Sequence, residues 1–204
     1  MTDHSGFKAL TKIDMNSKAI ESLPAPTLDT EPVRFGDTTD KHFWISAQEL
    51  KVMEATPTFS VKEYSNQNYA GLISLDFDPD VLEAAQCGFY IPKDWKAGTA
   101  IIVKYLYYCN AIINAVKWYF SYWKFKAGDT DPTASANTHL VKTDTVPDTA
   151  YKIAEATIGN FTPDDADDFV AANIWRNGGN VDDTLLVDAQ LIGIRIEYTA
   201  EVNK

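Results

Sequence analysis

"QLIGIRIEYTA", residues 190–200, decides the fold class. Ile192, Ile194, Ile196 and Tyr198 alternate with Gly193, Arg195, Glu197 and Thr199. That period of two belongs to a strand with one buried face, and it predicts the four apolar side chains on a single side. Upstream, "RNGGNVDDTLLVDA" (176–189) supplies Asn-Gly and Gly-Asn turn chemistry around residues 177–180. Before it stand two more strand-like runs, "DFVAANIWR" (168–176) and "AYKIAEATI" (150–158). Thr162, Pro163 and the following "DDADD" read as an N-capped single helical turn.

Further toward the N-terminus the pattern repeats. "AGLISLDFDPD" (70–80) places Ile73, Leu75 and Phe77 on one face, and "AAQCGFYIPKDW" (84–95) follows. "TAIIVKYLYYC" (99–109) puts Ile101, Val103, Tyr105 and Tyr107 on one side. "AVKWYFSYWKF" (115–125) is aromatic in both registers, as a strand covered on both faces would be. In "HFWISAQELKVMEATP" (42–57), Phe43 to Ile45 read as a short strand, and Ser46 with Glu49 forms a capping box for a short helix. Roughly seven or eight short strands with polar connections and little helix indicate an all-β, two-sheet sandwich, best as a jelly roll. An immunoglobulin-like sandwich fits less well, because only 22 positions separate Cys87 from Cys109.

Residues 1–40 are different. "IDMNSKAIESLPAPTLDTEPVRFGD" (13–37) spaces its apolar residues widely and contains three prolines that disfavour helix. Leu10, Ile13, Met15, Ile20 and Leu23 are too scattered to build a core, but they suit docking one at a time into grooves of another surface. The expected organisation is an extended attachment arm, 1–40, followed by a jelly-roll head, 41–204.

The composition narrows the function classes. Hydrophobic residues make up 45% of the 204 residues and aromatics 12%, enough for a substantial core. A formal net charge of −11 argues against sequence-independent nucleic-acid binding, which needs a basic footprint. No apolar run is long enough for a membrane-spanning helix. "MTDHSGFKAL" has no apolar core of a secretory signal, so none is expected. Cys87 and Cys109 sit in apolar, strand-like surroundings and read as two buried thiols made in a reducing cytoplasm.

The search for chemistry yields no nucleophile elbow, zinc-protease helix, phosphate loop or dinucleotide fingerprint. His4, His42 and His139 stand apart from any cluster of metal-ligating residues and read as solvated or locally bonded imidazoles. Aspartates do gather in three places: Asp76, Asp78 and Asp80; Asp164, Asp165, Asp167 and Asp168; and Asp182 with Asp183. Such loops suit calcium, yet none matches an EF-hand, and capping, turn formation and solubility account for them. The expectation is no enzyme, no cofactor and no metal. The aromatic set between Tyr105 and Phe125 is more telling. Tyr107, Trp118, Tyr122 and Trp123 are the candidates for an exposed surface, serving either as a stacking platform for sugar rings or as a subunit interface. A bulky second face left in water would be an apolar patch of the kind that soluble monomers avoid, so an oligomer is expected.

Several segments together resemble bacteriophage virion proteins. The arm resembles a stretch common in tail-fibre and related proteins, carried by Met15, Asn16, Ile20, Leu23, Pro24, Pro26 and Asp29, with Ser17 in place of the usual glycine. The body resembles virion proteins of similar layout in "FWISAQEL", "LDFDPDVLEAAQCGFYIPKDW" and the close "RNGGNVDDTLLVDAQLIGIRIEY". The resemblance implies a protein on the virion surface, made in the host cytoplasm. In it an arm joins capsid or other virion proteins and a β-sandwich head, a homotrimer, points outward. It further implies a capsid decoration (cement) protein or short head fibre. The alternative is a receptor-binding tail-fibre tip that grips host surface carbohydrate.

Overall fold

The computed structural model describes residues 38–53, 57–63, 71–126, 128–129, 138–166 and 168–202, all within one compact unit, Gly36–Lys204. The attachment-arm candidates Leu10, Ile13, Met15, Ile20 and Leu23 lie outside the described residues.

In chain order the strands are β1 (Thr38–Ser46), β2 (Lys51–Val52), β3 (Thr58–Glu63), β4 (Gly71–Phe77), β5 (Leu82–Tyr90) and β6 (Ile101–Tyr108). They continue with β7 (Ala115–Phe125), β8 (Thr138–Thr145), β9 (Ala154–Phe161), β10 (Phe169–Asn177) and β11 (Ala189–Glu201). Every pairing is antiparallel. One sheet has six strands in the order β3-β4-β11-β6-β9, with β1 also paired to β11. The other has five, β2-β5-β10-β7-β8. The two face each other as a β-sandwich of the jelly-roll type, as the alternating pattern predicts.

The core is the set of inward-facing residues of both sheets. Ile101, Val103, Tyr105 and Tyr107 of β6 meet Val116, Trp118, Phe120 and Tyr122 of β7. Trp118 takes the rings of Phe77, Tyr105 and Tyr107 edge-on at 5.3, 5.5 and 5.6 Å, the arrangement that ring quadrupoles favour. The Tyr105 hydroxyl, fully buried, donates to the Tyr119 carbonyl at 2.9 Å and so ties the sheets together.

Three local expectations are corrected. Ile192 leaves the face shared by Ile194 and Ile196, because a bulge between Leu191 and Gly193 shifts the register against β6 and inverts the alternation. Gly193 sits there because a Cβ would lie 2.5 Å from both the Ile45 carbonyl oxygen and the Trp44 ring. The Ser46–Glu49 box forms, with Glu49 Oε2 accepting from the Ser46 amide at 2.7 Å, but it caps only a single 3-10 turn, Ala47–Glu49. The segment after Thr162 is an irregular turn rather than a helical one, held by the Asp165 amide donating to Asp168.

The β10–β11 connection is locked from within. Arg176 is fully buried and makes a two-pronged pair with Asp183 at 2.8 and 2.9 Å. Its remaining N–H groups donate to the carbonyls of Phe77, Val187 and Leu185. This satisfies the guanidinium's donor fork, the condition under which a buried charge is tolerated. Gly178 fits because a Cβ would fall 2.0 Å from the Pro79 carbonyl oxygen. Both cysteines are free thiols, and burial pushes that of Cys87 up to about 12.

Candidate functional site

The outer faces of the two sheets differ in chemistry. On the six-stranded sheet, Lys104, Glu155, Arg195 and Glu197 form a lattice of ion pairs at 2.7–3.2 Å, an ordinary solvated face. On the five-stranded sheet no described outward position holds a carboxylate, although the chain has 29 acidic residues. Aromatic rings, amides, hydroxyls and His139 occupy it instead, with Lys51 and Lys117 and a few small or aliphatic residues.

Strand register organises these groups. His139, Ser121, Asn173, Gln86 and Lys51 stand directly opposite one another on β8, β7, β10, β5 and β2. They form one polar row perpendicular to the strands and crossing the whole sheet. At the usual strand separation of ~4.8 Å, the row is about 19 Å long. Along one side lie Val141, Tyr119, Trp175 and Ala84, again in register. Along the other lie Trp123, Ala171 and Gly88.

The aromatic groups are fixed in place. Tyr119 and Trp175 stack with centroids 3.8 Å apart and planes 10° from parallel. The Trp175 indole donates to Ser121 Oγ at 2.7 Å, and Ser121 Oγ lies 2.6 Å from His139 Nδ1. An indole only donates, so the serine oxygen accepts from Trp175, and its second lone pair or its own hydrogen meets Nδ1 according to the His139 tautomer. Small residues make the floor beside this platform, where a pocket of ≈ 420 Å³ is lined by Gln86, Trp123, Phe125, Ala171 and Asn173. Gly88, next along β5, is covered by the Phe169 ring, which a Cβ there would meet at 2.4 Å.

Such a trough can hold an uncharged polyhydroxylated chain. The C–H faces of sugar rings pack on aromatic rings, and side-chain amides pair with neighbouring hydroxyls as donor and acceptor at once. Ser121 and His139 form a hydroxyl–imidazole pair, but the Trp175 indole is bonded to the same serine oxygen and no described outward position of the sheet supplies a carboxylate to orient the imidazole. Among the described residues no group of three or more His, Cys, Asp or Glu is placed to bind a metal ion. Four of the aspartates weighed for calcium bind the chain's own atoms. Asp183 holds Arg176, Asp182 holds Lys117, Asp164 holds Lys124, and Asp78 accepts from the Asp80 amide.

Of the four surface candidates, the structure buries three inside the sandwich. Tyr107 and Trp118 have 0% exposure and Tyr122 has 8%. Only Trp123 lies on the outer face. Tyr119, Trp175, Asn173, Gln86, Ser121 and His139 belong to that face and escape the sequence reading. The usable signal was parity. Asn173 and Trp175 alternate with the apolar Ala172 and Ile174, and Tyr119, Ser121 and Trp123 share one register of β7.

No family model matches the sequence, and no curated protein matches it. Among solved structures, the chain is similar to a family 35 carbohydrate-binding module from an environmental isolate, at 7% identity and a TM-score of 0.46, over 78% of this chain and 97% of that one. It is also similar to the xylan-binding domain from Paenibacillus barcinonensis Xyn10C, at 12% identity and a TM-score of 0.41, covering 84% and 99%. A family 35 carbohydrate-binding module from Clostridium thermocellum is similar at 12% identity and a TM-score of 0.43, covering 76% and 97%.

Proposed function

We propose that this chain is a non-enzymatic recognition protein of a virion surface, and that its sandwich head binds carbohydrate along the outer face of the five-stranded sheet. One observation carries the reading. A polar row of one imidazole, one hydroxyl, two amides and a lysine crosses that face beside fixed aromatic rings, with no carboxylate among the described outward positions. A row of about 19 Å matches several sugar units of a chain rather than one terminal sugar. The virion assignment is supported by the resemblance of the arm and of "RNGGNVDDTLLVDAQLIGIRIEY" to phage virion proteins.

A glycan array with the full chain tests the binding. Retained binding to a neutral oligosaccharide, lost in Trp123→Ala and in Asn173→Ala with folding intact, is the expected result. A failure to bind any glycan, or binding that survives both substitutions, removes the proposal. The virion assignment is tested separately by deleting residues 1–35, which should leave a folded protein that no longer joins particles.

A second reading, a trimeric capsid decoration protein or short head fibre, is favoured by one corner of the same face. Tyr90 and Phe169 meet edge-on at 5.1 Å, and Tyr90 remains 68% exposed, as at an unfilled subunit contact. In solution, light scattering of the wild type and of Tyr90→Ser distinguishes this reading, because only a trimer packed through that corner dissociates on substitution.

A further inference from the structure

A different surface, independent of the glycan face, stands out at one end of the sandwich. Register places the connections β4–β5, β6–β7, β8–β9 and β10–β11 together there: Phe77 lies opposite Ala189, Tyr107 opposite Ala154, Ala115 opposite Thr145 and Asn177 opposite Leu82. Among the described residues, eight of the thirteen exposed large apolar side chains belong to this end, two from each connection. Val81 and Leu82 come from the first, Ile112 and Ile113 from the second. Tyr151 and Ile153 come from the third, and Val181 and Leu186 from the fourth.

Looseness does not explain their exposure. Arg176 clamps the fourth connection, the Tyr151 amide donates to the Cys109 carbonyl at 2.8 Å, and the Val146 amide donates to Asn114 at 2.9 Å. The backbone is strained at this end as well. Ile113 (φ 67°) and Tyr151 (φ 62°) are the two non-glycine residues with positive φ among those described. A β-branched residue in that region is a true outlier, and such strain gathers where a surface has work to do.

Charge selects the occupant. Asp78, Asp80 and Asp188 rim this end, and no described lysine or arginine forms an ion pair with them. Lys117 and Lys152, also at this end, are engaged by Asp182 and Asp148. Lys62 sits over the Tyr151 ring. A second copy would set acid against acid, and an anionic membrane would be repelled. The chain enters the sandwich at Thr38, opposite Glu201, at the other end. We propose that the loop end formed by these four connections is a docking surface for a protein whose apolar centre is ringed by lysines or arginines.

The test uses the full chain and three amphipathic model peptides of one length: Leu/Lys, Leu/Glu, and a Ser/Lys peptide with the charge of the first. Amide NMR shifts should move with the Leu/Lys peptide and be confined to residues 78–82, 109–114, 146–153 and 178–188. Binding should be at least tenfold weaker for the other two peptides, and at least tenfold weaker again in the Ile113→Asn, Val181→Ser double variant. That variant should melt higher than wild type, because asparagine tolerates the positive φ. Trp123→Ala should bind the peptide as wild type does. Equal binding of the Ser/Lys peptide, shifts outside these connections, or no binding overturns the proposal. So does a concentration-dependent dimer, or binding to anionic phosphatidylglycerol vesicles, that the double variant abolishes.

Discussion

Trp175 lies flat on Tyr119 across the β7–β10 ladder, and its indole N–H is held by Ser121, two residues along the neighbouring strand on the same face. The stack is therefore oriented before any ligand arrives, and little side-chain freedom remains to be lost on binding. Trp175→Ala should lower stability by about 1–2 kcal/mol in urea unfolding, from the lost cross-strand ring pair. It should also weaken glycan binding beyond what that loss of stability explains, as read by calorimetric titration at a temperature where both proteins are fully folded.

Trp118 and Trp123 share a strand but should respond in opposite ways. Trp118 has 0% exposure and three edge-on ring neighbours, so Trp118→Ala should cost roughly 3–5 kcal/mol or prevent folding. Trp123→Ala removes a half-buried ring from the outer face and should change unfolding free energy by only about 0.5 kcal/mol. Parallel denaturant titrations decide this; equal costs would mean that the two faces of β7 have been assigned wrongly.

Asp183→Ala should cost about 3–5 kcal/mol, because it strands a guanidinium with no exposure. The loss should appear first as faster amide exchange in residues 178–188, which Arg176 otherwise pins through Leu185 and Val187.

Glu83 and Asp188 supply a pH signature. Burial raises both carboxyls above their usual range. Asp78 and Asp188 add to the rise at Glu83, and Asp76 and Asp78 add to it at Asp188. The native state therefore keeps these protons at pH values where the unfolded chain has lost them. Stability falls as pH rises from the ordinary carboxylate pKa through the raised native value, and the deficit is complete above it. Glu83→Gln retains an oxygen for the Asp78 amide, which now donates to Glu83 at 2.7 Å. The variant should melt higher than wild type at neutral pH and lose that advantage below the ordinary carboxylate range. An advantage that persists unchanged in acid would exclude titration as its source.

Gly193→Ala should destabilise by about 1–3 kcal/mol, since its Cβ would press on the Ile45 carbonyl and the Trp44 ring at the bulge. Circular dichroism melting suffices to measure it.

How far the residues alone could lead is clear from β11, β7 and β8. Ile194, Ile196 and the β6 alternation specify strands and buried faces, because apolar residues at period two have one way to be sheltered. Ile192 could not be placed, since a bulge depends on the partner strand as much as on its own residues. In β7 both registers are aromatic, so nothing local says that Trp118 and Tyr122 point inward while Tyr119 and Trp123 point outward. Strand β8, "THLVKTDT", carries almost no apolar rhythm because it is an exposed edge, and it drew no strand assignment. The polar row was hidden for a further reason: its five members are brought together by register between strands far apart in sequence. The conspicuous close "RNGGNVDDTLL" has its explanation in Arg176, Gly178 and Asp183, whose joint role is to fasten a loop.

The direction of that row also bears on motion. Its two outermost members, His139 and Lys51, sit on β8 and on the two-residue β2, the borders at which a sheet frays first. A bound chain lying across the strands would act as a crossbar, gripping both margins at once and resisting their separation. Occupancy would then be felt as mechanical stiffness at the rims, well away from the rings that make the closest touch.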